Sequence, residues 1–343
     1  MLIAPTLAQF KTLFAEKLRG MLSPDELGAF ILVLSNSLQG RASQQTLKTD
    51  LMAMFVELNN RHKTGELTAP QDDLDVFEKI KNKGVGSLTV WESITQGEWE
   101  LLYNPMRALR PERASAEKIE TIFREFNNDK FHFNKPFLRP EILWEGEWHD
   151  VQLRVLYNKF PFAPYHLIIV PQPELALPQY LLKQYHEFMW QLLAEQSNIF
   201  TGLGVGYNSL GACASVNQLH FQSFIRAEKL PIEKTLWQHN GGIHDYPMRC
   251  LKTTSAEEGW VMIEQMHALN QPYNLLYRQG CCYVLPRKMQ GSTEVAERVQ
   301  GAGWIEECGV FNVANKKHGK NLTAEFLYAD LKSLSVDGDF VNR

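Results

Sequence analysis

From residue 142 to 225 the chain alternates short β-rich runs with turn residues, and one long helical stretch interrupts them. Runs at 142–144, 151–158 and 166–170 read as strands, the last stopped by Pro171 and Pro173. A helix follows over about 178–197, with Leu181, Leu182, Tyr185, Phe188, Met189 and Leu192 facing inward. Strands are then expected at 202–208 and 218–225. Further on, Ser255-Ala256-Glu257-Glu258 is a capping box that opens a helix to about 268. Strands at 273–277 and 282–285 flank Arg278-Gln279-Gly280, a hairpin signal, and a final helix spans about 323–334. Strands mixed with single helices in this order predict an α+β fold, and the loose recurrence of the order suggests two related halves.

The 343 residues leave room for two or three domains. Residues 1 to about 80 read as helical: Leu7, Phe10, Phe14 and Leu18 make one apolar stripe, and Leu47, Leu51, Met54, Phe55 and Leu58 make another. Between them Ser23-Pro24-Asp25-Glu26 is a helix start, leading into Leu27, Phe30, Ile31 and Leu34. Gly84, Gly86 and Gly97 then punctuate β-rich pieces at 87–91 and 99–103. After them come Asn104-Pro105-Met106-Arg107, Arg110 and Arg113, either a solvated loop or the lining of an anionic pocket. Charge is balanced, 35 basic against 39 acidic residues for a net −4, so no nucleic-acid surface is expected. No run of 18 apolar residues occurs, so no membrane span is expected, and the N-terminus reads as an amphipathic helix instead of a signal peptide. The five cysteines form no CxxC, which argues against a ribbon-type zinc site and for a reducing, cytoplasmic setting.

One stretch stands apart, Gly206-Tyr207-Asn208-Ser209-Leu210-Gly211-Ala212-Cys213-Ala214-Ser215-Val216-Asn217-Gln218-Leu219-His220-Phe221-Gln222. Its small residues let a backbone approach a ligand, and Ser209 and Ser215 can donate to an anionic oxygen. Its second half alternates, which would put Gln218, His220 and Gln222 on one strand face and Leu219 and Phe221 on the other. A small-residue turn beside three polar groups is a phosphate-site pattern. About fifty residues upstream lies Asn158-Lys159-Phe160-Pro161-Phe162-Ala163-Pro164-Tyr165-His166, whose histidine reads by itself as a packed residue on an apolar strand. His239 and His244 bracket a loop that follows the site strand.

Together these segments resemble the histidine-triad superfamily, and Gln222 at the end of the motif resembles its galactose-1-phosphate uridylyltransferase and GDP-hexose phosphorylase branch. Tyr246-Pro247-Met248-Arg249, Pro272-Tyr273-Asn274-Leu275-Leu276 and Leu285-Pro286 follow in the order of the GDP-hexose phosphorylase group. The resemblance covers roughly 130–320. It implies an antiparallel sheet with flanking helices, in a catalytic half (121–240) and a degenerate second half with a C-terminal helix (241–343), and the N-terminal mostly helical region (1–120), read from its own apolar stripes, precedes them. It implies that His220 is the nucleophile and that the Gln222 amide steadies the transferred phosphate. Asn158, Asn208, Ser209, Gly211, Ser215, Gln218 and Arg249 are the substrate-binding candidates. The substrate class implied is a nucleotide sugar or a dinucleotide, with inorganic phosphate or a sugar phosphate as acceptor. A homodimer is implied and no cofactor. Gln218 departs from the family, whose first strand histidine helps hold a structural zinc in some uridylyltransferases, so no metal is expected. Two alternatives remain at this point: a hydrolase of the same superfamily, and a nucleotide-binding sensor.

Overall fold

The computed structural model describes residues 3–23, 25–110, 119–296, 299–313, 319 and 321–336; Pro24, Arg113 and His318 lie outside the described residues. Helix α1 (Leu7–Gly20) is capped by Thr6, whose side chain accepts from Gln9 N, and it buries Phe10, Phe14 and Leu18 at four-residue spacing. Helix α2 (Leu27–Ser37) begins later than the capping pattern predicts. Glu26 N–H donates to Ser23 O at 3.2 Å, while Asp25 pairs with Arg61 at 2.8 Å. From Leu27 to Leu34 every side chain beyond Gly28 is buried, which makes α2 the central helix of the bundle. Helices α3 (Arg41–Thr64) and α4 (Gln71–Lys83) pack around it, with the Phe77 ring edge-on to Phe30 at 6.1 Å.

The strand expected at 87–91 does not form. Trp91 N–H donates to Leu38 O at the end of α2, which ties that segment to the bundle, and pairing starts one residue later. Strands β1 (Glu92–Gln96) and β2 (Trp99–Tyr103) make a hairpin that a third strand from the far end of the chain joins.

The main sheet has eight strands: β3 (Ile142–Trp148), β4 (Val151–Tyr157), β5 (Leu167–Pro171), β6 (Leu203–Asn208), β7 (Phe221–Ile225), β8 (Leu251–Thr253), β9 (Tyr273–Arg278) and β10 (Cys281–Pro286). Their spatial order is β3-β4-β5-β7-β6-β9-β10-β8, and every neighbouring pair is antiparallel. Helix α5 (Lys183–Gln196) connects β5 to β6, and α6 (Ala256–Ala268), capped by Ser255, connects β8 to β9. The series β5-α5-β6-β7 and β8-α6-β9-β10 therefore share one winding, and they meet where β6 pairs β9. Asn208 lies opposite Asn274 at that seam, each preceded by a tyrosine, and the rings of Tyr207 and Tyr273 stack at 5.9 Å.

Alternation sorts the two sheet faces. Val205, Tyr207, Phe221, Leu275 and Tyr277 point toward the layer of α5 and α6, where all are fully buried, each contributing on the order of 1.5–3 kcal/mol. Phe224, Leu276, Tyr283 and Leu285 point the other way. That second face is covered by the small sheet, by the short helix α7 (Trp304–Glu307), by β11 (Val310–Val313), which runs parallel to β2, and by α8 (Ala324–Leu334). Among the described residues no helix is long and apolar enough to cross a membrane.

The helical bundle docks on the turn between β4 and β5. Asn36 Nδ2 donates to Asn158 O at 2.9 Å, Tyr165 N–H to Gln39 Oε1 at 2.6 Å, and Lys159 Nζ lies 2.6 Å from Asp73. The 158–166 turn is thus gripped from the N-terminal side.

Candidate active site

His220 precedes β7, on the face away from α5 and α6. The expected strand over 218–225 starts only at Phe221, because a side chain replaces the sheet ladder at its first positions. Gln179 accepts from His220 N–H at 2.8 Å and donates both to His220 O (3.2 Å) and to Asn208 O (2.8 Å). Its carboxamide stands where a strand neighbour would be, so β6 and β7 part beyond Gly206 and Gln222, their last paired residues. Pattern reading missed Gln179, since it places the residue inside a helix that begins only at Lys183.

The His220 ring is buried, and burial pushes its pKa down to about 4, so it is neutral at pH 7. Its Nδ1 lies 2.7 Å from Gln218 O. A carbonyl only accepts, so the ring proton is on Nδ1 and Nε2 keeps its lone pair. That is the tautomer a nucleophile needs. Phe133 packs on the ring at 5.0 Å, and Phe131 and Phe137 continue from it toward solvent at 6.0 and 6.3 Å steps.

Next to it on the same face, Gln222 Oε1 accepts from Trp304 Nε1 at 3.0 Å. His166, fully buried, belongs to the same polar cluster. Phe162 N–H lies 3.3 Å from His166 Nδ1 and the Asn158 amide nitrogen 3.3 Å from Nε2, so amide groups hold the ring on both sides. Burial, with the nearby Arg107 cation, pushes the His166 pKa down to about 3. His166 is both packed, as its apolar strand suggested, and part of the polar cluster. The Arg107 guanidinium lies 4.6 Å above the Phe162 ring, and Phe162 stacks edge-on to His166 at 4.2 Å. Asn104 holds this arginine's loop in place, accepting from Arg107 N–H and donating to Pro161 O at 2.7 Å.

The glycines of β6 explain how an indole reaches Gln222. A Cβ on Gly206 would come within 2.2 Å of the Trp304 ring, and one on Gly204 within 2.4 Å of Phe224. The bare stripe lets Trp304 lie on the sheet, stacked on Phe224 at 5.2 Å.

The structure distributes the other predicted site residues differently from the pattern. Asn208 Oδ1 accepts from Trp304 N–H (2.8 Å) and from Asn274 Nδ2 (2.5 Å), and Ser209 Oγ accepts from Tyr273 N–H at 2.9 Å. Both side chains face protein groups and frame the site. Gly211 adopts φ +78° against Met289, a packing requirement. Ser215 is exposed on the loop. Asn158 accepts from Phe160 N–H at 2.9 Å and lies beside His166, so it shapes the turn. The Gln218 carboxamide is engaged by the protein: it accepts from Phe133 N–H at 2.7 Å and reaches Pro173 O at 3.4 Å. That engagement leaves Gln218 unfit as a metal ligand, and no group of three His, Cys, Asp or Glu able to hold a metal occurs among the described residues. The zinc of some uridylyltransferases does not fit here. Arg249 precedes β8, four strands from β7, or roughly 19 Å across the sheet at ~4.8 Å per strand. It is not part of the His220 cluster, and its backbone N–H donates to Ser335.

An antiparallel sheet with flanking helices, carrying a neutral histidine two residues before a glutamine, defines an α+β protein with a polar cluster at the centre of its sheet. Residues 92–224 match the family model described as the GDPGP1-like N-terminal domain. GDP-D-glucose phosphorylase 1 of Danio rerio is 33% identical over 204 residues, covering 53% of this chain and 55% of the relative. GDP-D-glucose phosphorylase 1 of Bos taurus is 32% identical over 131 residues, covering 36% of this chain and 33% of the relative. GDP-L-galactose phosphorylase 1 of Arabidopsis thaliana is 29% identical over 138 residues, covering 36% and 30%. The chain thus matches between 30% and 55% of the length of these relatives. In fold it is similar to the yeast Ap4A phosphorylase solved with AMP, with TM-score 0.50, 16% identity, and 78% of this chain and 99% of the other covered. The GDP-hexose phosphorylase-like resemblance read from the sequence is borne out.

Proposed function

We propose that the chain is a nucleoside diphosphate hexose phosphorylase working through a covalent nucleotidyl-His220. The carrying observation is the His220 tautomer: a neutral ring with its proton given to Gln218 O and Nε2 without a hydrogen-bond partner among the described residues. Nε2 attacks the α-phosphorus, the P–O bond to the β-phosphate breaks, and hexose 1-phosphate leaves. An oxygen of inorganic phosphate then attacks the same phosphorus, the P–N bond breaks, and a nucleoside diphosphate forms as Nε2 recovers its lone pair. The Gln222 NH₂ and the Arg107 cation supply the positive field for the in-line transition state. Phe133, Phe131 and Phe137 offer the base a stacking surface leading away from His220.

Phosphate fits the acceptor role better than water. Water must lose a proton as it attacks, and a carboxamide cannot take one. The groups nearest the transferred phosphorus would be Gln222, which cannot titrate, and the His166 ring, whose pKa burial holds down to about 3 and which is therefore too weak a base to take that proton effectively. The test follows nucleotide release from GDP-hexoses and other nucleoside diphosphate hexoses with and without inorganic phosphate. Phosphate-dependent release is expected. Equal release without phosphate or a sugar phosphate replaces this reading with a hydrolase.

A further inference from the structure

Resting on the phosphorylase reading, we propose that Trp304 is a positioning residue, which fixes the Gln222 carboxamide with its oxygen turned inward and its NH₂ turned toward the reacting phosphate. A carboxamide is nearly symmetric in shape, so packing alone does not choose between its two orientations. Hydrogen bonding does. An indole N–H only donates, and Trp304 Nε1 lies 3.0 Å from the Gln222 side chain, so the atom facing it is the oxygen. The indole is the hydrogen-bond partner that the geometry gives this oxygen. A flipped carboxamide would set its NH₂ against the indole N–H and leave that donor without an acceptor.

The indole cannot turn away. Its backbone N–H is held by Asn208 Oδ1 at 2.8 Å, one face rests on Phe224 with 18° between the planes, and Gly206 leaves no space beneath it. Three residues on, Glu307 pairs with Arg287 at 2.8 Å, both side chains buried. Trp304 also lies outside residues 92–224, so the region that carries the family match does not by itself contain the device that orients its own glutamine.

The experiment compares wild type, Trp304→Phe, Gln222→Ala and the double variant in GDP-hexose phosphorolysis, with thermal unfolding as a control for folding. Trp304→Phe keeps an aromatic ring and removes the N–H. A roughly 10–100-fold fall in kcat with KM within about twofold is expected, and the double variant should be no slower than Gln222→Ala alone, since residues acting as a unit are non-additive. A kcat within twofold of wild type, or penalties that multiply in the double variant, overturns the proposal. A wild type that turns over no nucleoside diphosphate hexose refutes the phosphorylase reading instead. Orientation is then decided by nitrogen-15 NMR of glutamine side chains. The Gln222 NH₂ pair, assigned by its loss in Gln222→Ala, is expected to shift and exchange faster in Trp304→Phe. An unchanged pair overturns the positioning role.

Discussion

Replacing Gln179 by methionine keeps the volume of the side chain and removes the carboxamide that stands between β6 and β7. Three hydrogen bonds disappear: His220 N–H to Oε1, and Nε2 to Asn208 O and His220 O. Gln179 is 1% exposed and His220 4%, so water does not reach these groups without opening the site. One buried N–H and two buried carbonyls left without partners cost about 1–3 kcal/mol for the donor and less for each acceptor, which sums to roughly 3–5 kcal/mol. That is a large share of the ~5–15 kcal/mol that typically holds a domain together. If the strands zip to recover the lost bonds, His220 is drawn toward Asn208 and leaves its place beside Gln222. Urea unfolding and phosphorolysis rates measured together check the reasoning. A Gln179→Met protein within about 1 kcal/mol of wild type and with unchanged kcat would show that the wedge neither holds the strand ends nor places the nucleophile.

His220→Ala should fold and bind nucleotide but form no acid-labile, alkali-stable nucleotidyl adduct, and label that persists or maps elsewhere would falsify the nucleophile assignment. The depressed pKa of His220, about 4 in the fold against ~6.5 in an unfolded chain, means the unfolded state binds the proton first. Stability from this ring is complete above pH ~6.5 and lost as pH falls through about 4, and His166 extends the decline toward about 3. Unfolding midpoints against pH should show this fall, while the rate of adduct formation stays flat from pH 7.5 to ~5.5; a rate that drops with an apparent pKa near 6.5 contradicts a neutral buried nucleophile. Gly206→Ala should displace Trp304, costing roughly 1–3 kcal/mol as an overpacked contact and lowering kcat along with stability; calorimetry showing no loss would mean the indole is not seated on the sheet.

Much of this architecture was legible because period and capping are local signals. The stripes of α1 and α3, the Ser255 cap of α6 and the hairpin at Gly280, which takes φ +73°, each follow from residues within a few positions of one another. The proposed nucleophile, His220, was singled out because resemblance carried the segment around it, and its tautomer follows from that segment's own backbone at Gln218. What escaped involves side chains that act across the chain. Pro178 suits the first turn of a helix, so Gln179 read as helical, whereas the segment runs extended beside 217–220, with Leu219 N–H donating to Leu177 O at 2.8 Å. Trp304 is 82 residues from Gln222, and nothing near it in sequence announces a partner. A signal did exist elsewhere: Gly204 and Gly206 alternate on one strand face, and a strand that bares its backbone twice on the same side calls for a large ring to cover it. Asn208, Ser209 and Gln218 look like ligand donors by residue type, and only the register of β6 against β9 reveals that protein groups already occupy Asn208 and Ser209.

The two series of strands are alike in winding and unlike in chemistry, and packing explains why both are needed. On the face away from the helices β10 presents Tyr283 and Leu285, which are buried in the apolar layer and fill their own side of the sheet. β6 presents glycines there, so the half that carries His220 and Gln222 cannot close its own face. The cover comes from residues 302–307. They are held by Arg287, which donates to Ala302 O and Glu307 Oε1, although burial raises the Glu307 pKa to about 8 against the pull of that cation. Removing one partner of such a buried pair typically costs ~3–5 kcal/mol, because the other charge is left without compensation. Arg287→Met would therefore loosen the segment that carries Trp304, and through it the Gln222 amide, without touching the nucleophile. In physical terms the nucleophile half ends where its glycines do, and the remaining wall of the site is built from the half that has no histidine on the corresponding strand.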